Sequence, residues 1–277
     1  MAFSNKPVHF FDITCSLDGP RKSWSPNTLK TRTVLNYKGI KYTQSWVSYP
    51  DIAALSEGLK MPPTGTTIKY TLPAIVHKAS ITSNPYGALN DSLPIALHLE
   101  KTFPAPKYPS IFPNGQASYA LAVATRKLLN AAFDKTHIIV LPKVQAMLDD
   151  RGAQYFHETR LPNYRKRFGN INSLSEVLPK NDEEYEAIWA ATQKELVIFT
   201  EMLTGEGSIQ GPFLEGEKPG YADFILASWL AWHERACPKT FEALLNTGNG
   251  SLRKHWVASL PYLDGQGEDK EWAQSEI

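Results

Sequence analysis

The chain has 277 residues, 42 % hydrophobic and 21 % charged, which is ordinary for a folded globular protein and excludes a collagen-like or wholly disordered chain. Lysine and arginine number 29 against 28 acidic residues, so a formal charge of +1 supplies no global field for nucleic acid or an anionic membrane. No run approaches the roughly 20 apolar residues of a bilayer span, residues 1–11 do not read as a signal peptide, and Cys15 and Cys237 cannot form a disulfide framework, so the cytoplasm is the expected compartment.

Val8 to Ile13 is short, aromatic and β-branched, and reads as a buried strand. Pro26 to Tyr37 follows as a helix, with Gly39 where a C-cap favours glycine. Lys41 to Val47 reads as a second strand, Asp51 to Leu59 as a short helix, and Leu72 to Val76 as a third strand opened by proline. A fourth element near Ala88-Leu89 leads into a helix from Leu93 to Glu100. This β-α-β-α-β-β-α order predicts a small α/β domain, helices packed on a mixed sheet, over residues 1–103. Pro104, Pro106, Pro109 and Pro113 then make residues 104–115 an extended linker. Beyond it the pattern is helical, predicting an all-α domain over 116–263. Gln116 to about Leu141 is Ala/Leu-rich and is expected to kink or end at Pro142. Asp182 to Leu203 carries one apolar stripe, and Tyr221 to Arg235 is apolar nearly all round, as a central helix would be. Residues 264–277 read as a polar, poorly ordered tail.

Three short motifs carry chemistry. Ser25-Pro26 is first of all a serine N-cap followed by proline at the first helical position. The same geometry leaves a hydroxyl hydrogen to donate to a thiolate at the positive end of the helix dipole, and each unit by which a thiol pKa falls below about 8.5 corresponds to about 1.4 kcal/mol of thiolate stabilisation. At Leu72-Pro73 a cis peptide would let Leu72 present its N–H and C=O outward to a bound peptide, but only about 5–6 % of X–Pro bonds are cis, so the residues alone favour trans. Asn90-Asp91-Ser92 offers Ser92 as the N-cap of the next helix; alternatively its hydroxyl and free N–H groups bind a carboxylate while Asp91 pairs with an ammonium, together recognising a free amino-acid end. His157-Glu158 lacks the second histidine of a zinc-protease helix, the other histidines have no ligand spacing, and no CxxC, P-loop or GxGxxG is present. Cys15 reads as a buried filler.

In their order, the Ser-Pro helix start, the Leu-Pro strand, the Asp-Ser helix, the proline-rich linker and the all-helical half resemble a cytosolic glutathione transferase. The stretches Ser25-Pro26-Asn27-Thr28-Leu29-Lys30-Thr31-Arg32, Leu35 to Ile40 and Trp46 to Ile52 look like the fungal etherase-related transferases, particularly the fungal-specific A class. Phe213 to Gly216 with Tyr221-Ala222-Asp223 resembles the family's buried capping motif, with Gly220 where Ser or Thr is usual. The resemblance implies a thioredoxin-like N-terminal domain binding glutathione as cosubstrate and a helical domain lining the acceptor pocket. It implies that Ser25 activates the glutathione sulfur, that Leu72, before a cis Pro73, pairs with the cysteinyl part, and that Asp91 and Ser92 hold the γ-glutamyl end. The glycyl carboxylate needs a cation, for which Lys60 and Lys69 are equal candidates, and Trp24, Tyr119 and Tyr155 are aromatic candidates for the acceptor pocket. The implied activity is conjugation to electrophilic aromatics or reduction of organic peroxides, etherase-like chemistry on lignin-derived aromatics included. The alternative is a weakly catalytic ligandin for hydrophobic polyphenols, and a homodimer is implied in either case. The residues His77 to Tyr86, extra for a tight hairpin, are expected to project over the glutathione site or to reshape the dimer contact.

Overall fold

The computed structural model describes residues 7–204 and 211–273, which form two compact units, one of residues up to Ile111 together with Tyr262 onward, the other from Phe112 to Pro261. The first unit is built on strands β1 (Val8–Ile13), β2 (Tyr42–Val47), β3 (Ala74–Val76), β4 (Ala88–Asn90) and β5 (Glu268–Asp269), with helices α1 (Pro26–Tyr37), α2 (Ile52–Gly58) and α3 (Ser92–Thr102). The sheet order is β4-β3-β1-β2-β5; β1 runs parallel to β2 and antiparallel to β3, and β3 is antiparallel to β4. All six residues of β1 are buried, as a strand flanked on both sides requires. Its two polar side chains are paired: His9 faces Thr43 Oγ1 at 2.7 Å and Ser45 Oγ at 2.9 Å, and Asp12 meets Arg32 of α1 at 2.9 Å.

Two boundaries differ from the sequence reading. The proline-rich connector belongs to the first unit as far as Ile111, because Lys38, fully buried at the end of α1, donates to Glu100 Oε2 at 2.6 Å and to the Pro109 carbonyl at 2.8 Å. The Ile111 N–H also reaches Glu100, at 3.2 Å. Residues 264–273 are not a loose polar end, and residues 274–277 of the predicted tail lie outside the described residues. β5 adds to the sheet edge parallel to β2, with Thr43 opposite Glu268 and Gln44 opposite Asp269. Side chains supply what composition concealed: Gln44 Nε2 and Trp46 Nε1 donate to Asp269 Oδ1 at 2.7 and 2.9 Å, and Trp272 packs its ring 4.7 Å from His9 and 5.2 Å from Phe11. Gly267 is required here, since a Cβ would stand 2.4 Å from the Tyr42 ring.

The second unit comprises α4 (Gln116–Met147), α5 (Asp150–Phe168), α6 (Asp182–Thr204), α7 (Tyr221–Ala236), α8 (Pro238–Leu245) and most of α9 (Ser251–Leu263). α4 continues through Pro142 to Met147. The proline removes one N–H, but Val140, Pro142, Val144 and Met147 are all buried, and that packed stripe outweighs the lost hydrogen bond. α6 buries Trp189, Thr192, Leu196, Phe199 and Leu203 of the predicted stripe, while Tyr185 and Ile188, which belong to the same stripe, are half-buried. α7 packs against α4 and buries nearly every side chain. In its first turn, Asp223 accepts from the N–H groups of Leu214 and Gly220, both at 2.8 Å, and meets His255 Nε2 at 3.1 Å. Glycine has no side chain with which to complete the reciprocal capping bond, so Asp223 alone organises this helix start. Among the described residues no helix is long and apolar enough to cross a membrane, and no cluster of three metal-ligating side chains occurs.

His233 lies in this helical core, its Nδ1 2.9 Å from the Trp229 carbonyl and its Nε2 3.1 Å from Thr136 Oγ1. The carbonyl fixes the proton on Nδ1, and complete burial pushes the imidazole pKa down to about 4. Between the ordinary value of 6.5 and about 4 the unfolded chain binds a proton that the folded chain refuses. Stability therefore falls as pH drops through that window, by roughly 3 kcal/mol from this group. Urea unfolding of the native chain and of His233→Gln at pH 7 and pH 4.5 is expected to show a distinctly flatter pH dependence in the variant.

Candidate functional site

Topology brings Ser25, Leu72-Pro73 and Asp91-Ser92 to one end of the first unit's sheet. Because α1 returns antiparallel to β1, the N-terminus of α1 stands at the C-terminal end of β1. β3 is antiparallel to β1, with Ala74 opposite Phe11, so the Leu72-Pro73 turn begins at that same end. Ala74 is in turn opposite Asn90, which places Asp91 beside the turn. The Asp91 N–H closes the group by donating to the Pro73 carbonyl at 3.2 Å. In open α/β sheets the ends of strands, where loops meet helix N-termini, are where ligands bind.

Ser25 is the N-cap of α1, in extended backbone conformation, with Pro26 at the first helical position. Its carbonyl accepts from the Leu29 N–H at 2.9 Å, the first bond of the helix, and from the Thr28 hydroxyl at 3.2 Å. The Ser25 hydroxyl makes no capping bond and has no partner among the described residues. It is left free to donate at the positive end of the helix dipole. The loop before it is packed: Ser23 is fully buried, and Trp24 is only 2 % exposed with its ring 6.3 Å from Tyr49.

The Leu72-Pro73 peptide is cis, where the residues alone favoured trans. Leu72 has a buried side chain, and its N–H and C=O have no backbone partner among the described residues. The next helix start differs from the sequence reading. Asp91, not Ser92, is the N-cap of α3, since its carbonyl accepts the Ile95 N–H at 3.0 Å and Ser92 is already helical and buried. Pro94 therefore falls in the first turn, where no N–H is needed. Asp91 is exposed and has φ +72°, a conformation that strains a residue carrying a Cβ. Such strain persists only where surrounding structure imposes it and concentrates at functional sites. Here the Pro73 carbonyl on one side and Asn90 on the other impose it, Asn90 Nδ2 donating to the Pro62 carbonyl at 2.8 Å.

Both candidate lysines lie between α2 and β3. Lys60 has φ +51° and holds Nζ 5.7 Å from the Tyr86 ring centre. Lys69 is exposed, and its carbonyl accepts the Thr64 N–H at 2.8 Å. The residues from His77 to Tyr86 fold back on this region. Asn84 Nδ2 donates to the Leu59 and Lys60 carbonyls at 2.9 and 3.1 Å, and Asn84 Oδ1 receives the Tyr86 and Ala88 N–H groups. Cys15 is buried, its thiol 3.3 Å from the Lys22 carbonyl. Tyr119 and Tyr155, at the start of α4 and in α5, are half-buried. Trp24 is enclosed to a degree that an open pocket wall is not.

Sequence reasoning missed two features of this unit. The first is the Asp12 carboxylate, fully buried, which accepts the Ser23 hydroxyl at 2.6 Å and Arg32 Nη2 at 2.9 Å. A lone acid in an apolar strand and an arginine on the inner face of α1 were the available signal, since buried charges occur paired. The second is a cleft of about 740 Å³ lined by Phe11, Trp46, Leu55 and Trp272 with Asp51 and Lys270 among its polar walls; none of the predicted site residues lines it.

Comparison with known proteins identifies the family. Residues 24–102 match the family model for the glutathione S-transferase N-terminal domain, and residues 120–262 match that for the glutathione S-transferase C-terminal domain. The chain is 50 % identical over 274 residues to the glutathione S-transferase-like protein ustS of Aspergillus flavus, covering 98 % of this chain and 96 % of that one. Among solved structures it is similar to the transferase CsGST63524 of Ceriporiopsis subvermispora in complex with glutathione, with TM-score 0.77 and 28 % identity over 93 % of this chain and 98 % of that one. It is similar also to GSTFuA3 of Phanerochaete chrysosporium, with TM-score 0.78 and 29 % identity over 94 % and 98 %. Two family models in the expected order and a relative at half identity along nearly the whole length place the chain in the glutathione S-transferase family.

Proposed function

We propose that the chain is a serine-type glutathione transferase of the fungal etherase-related kind, with Ser25 as the group that stabilises the glutathione thiolate. The observation that carries this reading is the Ser25 hydroxyl, without a partner at the N-terminus of α1 and at the sheet end shared with the Leu72 backbone and Asp91. Glutathione is the cosubstrate. Its cysteinyl N–H and C=O pair with the free C=O and N–H of Leu72, its α-ammonium meets Asp91, and its α-carboxylate takes the Ser92 hydroxyl and the first N–H groups of α3. Lys60 or Lys69 meets the glycyl carboxylate.

The Ser25 O–H donates to the sulfur and, with the helix dipole, favours the ionised form. The thiolate then attacks an electrophilic aromatic carbon; a carbon–sulfur bond forms and the leaving group departs with its electron pair. Serine forms no mixed disulfide with glutathione, so thiol exchange through this residue is disfavoured. A second reading, a carrier of hydrophobic polyphenols, rests on the cleft walled by Phe11, Trp46 and Trp272, whose size and aromatic lining suit a planar ligand. Tryptophan quenching by a polyphenol, lost in Trp272→Ala, in a chain that turns over no electrophile is the outcome that would favour it.

Two predictions test the leading reading. With 1-chloro-2,4-dinitrobenzene as acceptor, Ser25→Ala is expected to lower kcat about 10- to 100-fold, the equivalent of one charge-assisted hydrogen bond, while the glutathione Kd changes by less than about threefold; unaltered turnover removes Ser25 from the mechanism. Asp91→Asn, a residue that tolerates positive φ, is expected to weaken glutathione binding by about 1–3 kcal/mol in calorimetric titration, with thermal stability close to native. Binding equal to that of the native chain would contradict the γ-glutamyl assignment.

A further inference from the structure

Ser25 carries its hydroxyl without any side-chain hydrogen-bond partner among the described residues, so the backbone that carries it sets the position from which that hydroxyl can donate. What holds that backbone is Asp12. The carboxylate, fully buried at the end of β1, accepts three hydrogen bonds: from the Ile13 N–H at 2.7 Å, the Ser23 hydroxyl at 2.6 Å and Arg32 Nη2 at 2.9 Å. Ser23, also fully buried, stands two residues before Ser25 in the loop that delivers it. Arg32 stands about two helical turns after Ser25, on the buried face of α1. Its guanidinium lies 5.2 Å from the Phe10 ring centre and 5.3 Å from that of Trp46. One carboxylate thereby fastens the strand end, the incoming loop and the helix whose first residue Ser25 caps.

We propose that Ser23, through its hydrogen bond to Asp12, is a positioning residue for Ser25. The proposal rests on the reading of Ser25 as the thiolate donor. Ser23 and Asp12 touch neither glutathione nor acceptor in this scheme, and they move no proton. They fix the loop so that the Ser25 O–H meets the sulfur at hydrogen-bond distance. A displacement of the order of 1 Å at such a donor is enough to cost a large part of its effect on a rate. The carboxylate is kept for both tasks by its geometry, since the loop hydroxyl and the helix guanidinium share the oxygen Oδ2 and the strand N–H takes Oδ1.

The test uses the full chain with glutathione itself as the probe and compares the native chain with Ser23→Ala, Ser23→Thr and Ser25→Ala. Asp12 is left intact, because its loss would also strand the Arg32 charge. The ultraviolet absorbance of the bound thiolate is titrated against pH, Kd is measured by calorimetry, and urea unfolding reports stability. Ser23→Ala is expected to lower the ionised fraction of bound thiol about 3- to 10-fold at a pH below its pKa, an upward shift of about half to one unit. The expected shift is smaller than that of Ser25→Ala, with Kd unchanged within about twofold, and Ser23→Thr, which keeps the hydroxyl, is expected to titrate like the native chain. A purely structural role would lower the urea midpoint of Ser23→Ala and leave the thiol titration superimposable on the native curve while Ser25→Ala shifts it; that result overturns the proposal. If Ser25→Ala leaves the titration unchanged as well, it is the reading of Ser25 that fails.

Discussion

The buried pair of Asp12 and Arg32 is the constraint on which the first unit is assembled. Both side chains are fully enclosed, and two charges removed from water gain nothing on balance unless their remaining hydrogen-bonding capacity is filled. The carboxylate takes three donors. The guanidinium reaches Gln44 Oε1 at 2.7 Å, the Tyr42 hydroxyl at 3.0 Å and Gln266 Oε1 at 3.1 Å, and is bordered by aromatic rings. Burial pushes the Tyr42 phenol pKa up, so the hydroxyl keeps its proton and donates it to Asn36 Oδ1 at 3.0 Å. From one ion pair the connections run to β1, the Ser25 loop, α1, β2 and the segment after α9.

The site contrasts with that framework. The framework carboxylate and both terminal guanidinium nitrogens are paired, Arg32 Nε alone being buried without a partner among the described residues, whereas the candidate ligand groups are left open: the Ser25 hydroxyl, the amide and carbonyl of Leu72, and an exposed Asp91 held at φ +72°. A binding surface needs unspent hydrogen-bonding capacity, and it holds still when the side chains around it are locked by packing and hydrogen bonds. Lys38 plays the same framework role at the other end of α1, where it ties Glu100 and the Pro109 carbonyl together.

Much of this was legible in the sequence, for identifiable reasons. β1 and α1 fall where the apolar run and the Ser-Pro start put them, because local propensity and tertiary packing agree there. The order of Ser25, Leu72-Pro73 and Asp91-Ser92 exposed the site, although none of the three is distinctive alone. The N-cap of α3 shifted by one residue because positive φ at Asp91 depends on its long-range bond to Pro73, which has no local signal. Pro142 misled because its cost is local while the packing that offsets it comes from distant helices. The tail misled most. Its polar residues look solvated in composition, yet Asp269 and Gln266 are the partners of Gln44, Trp46 and Arg32, more than two hundred residues earlier.

That return has a bearing on how the protein can be made. The ribosome releases β1 through β4 first, and β5 emerges only after the whole helical unit has been synthesised. Until then the Arg32 guanidinium lacks Gln266 and the Gly265 carbonyl, and the β2 edge is uncovered. A nascent chain paused after the proline connector is thus an unfinished domain with an open strand edge, and cutting the gene at that connector would yield the same incomplete object.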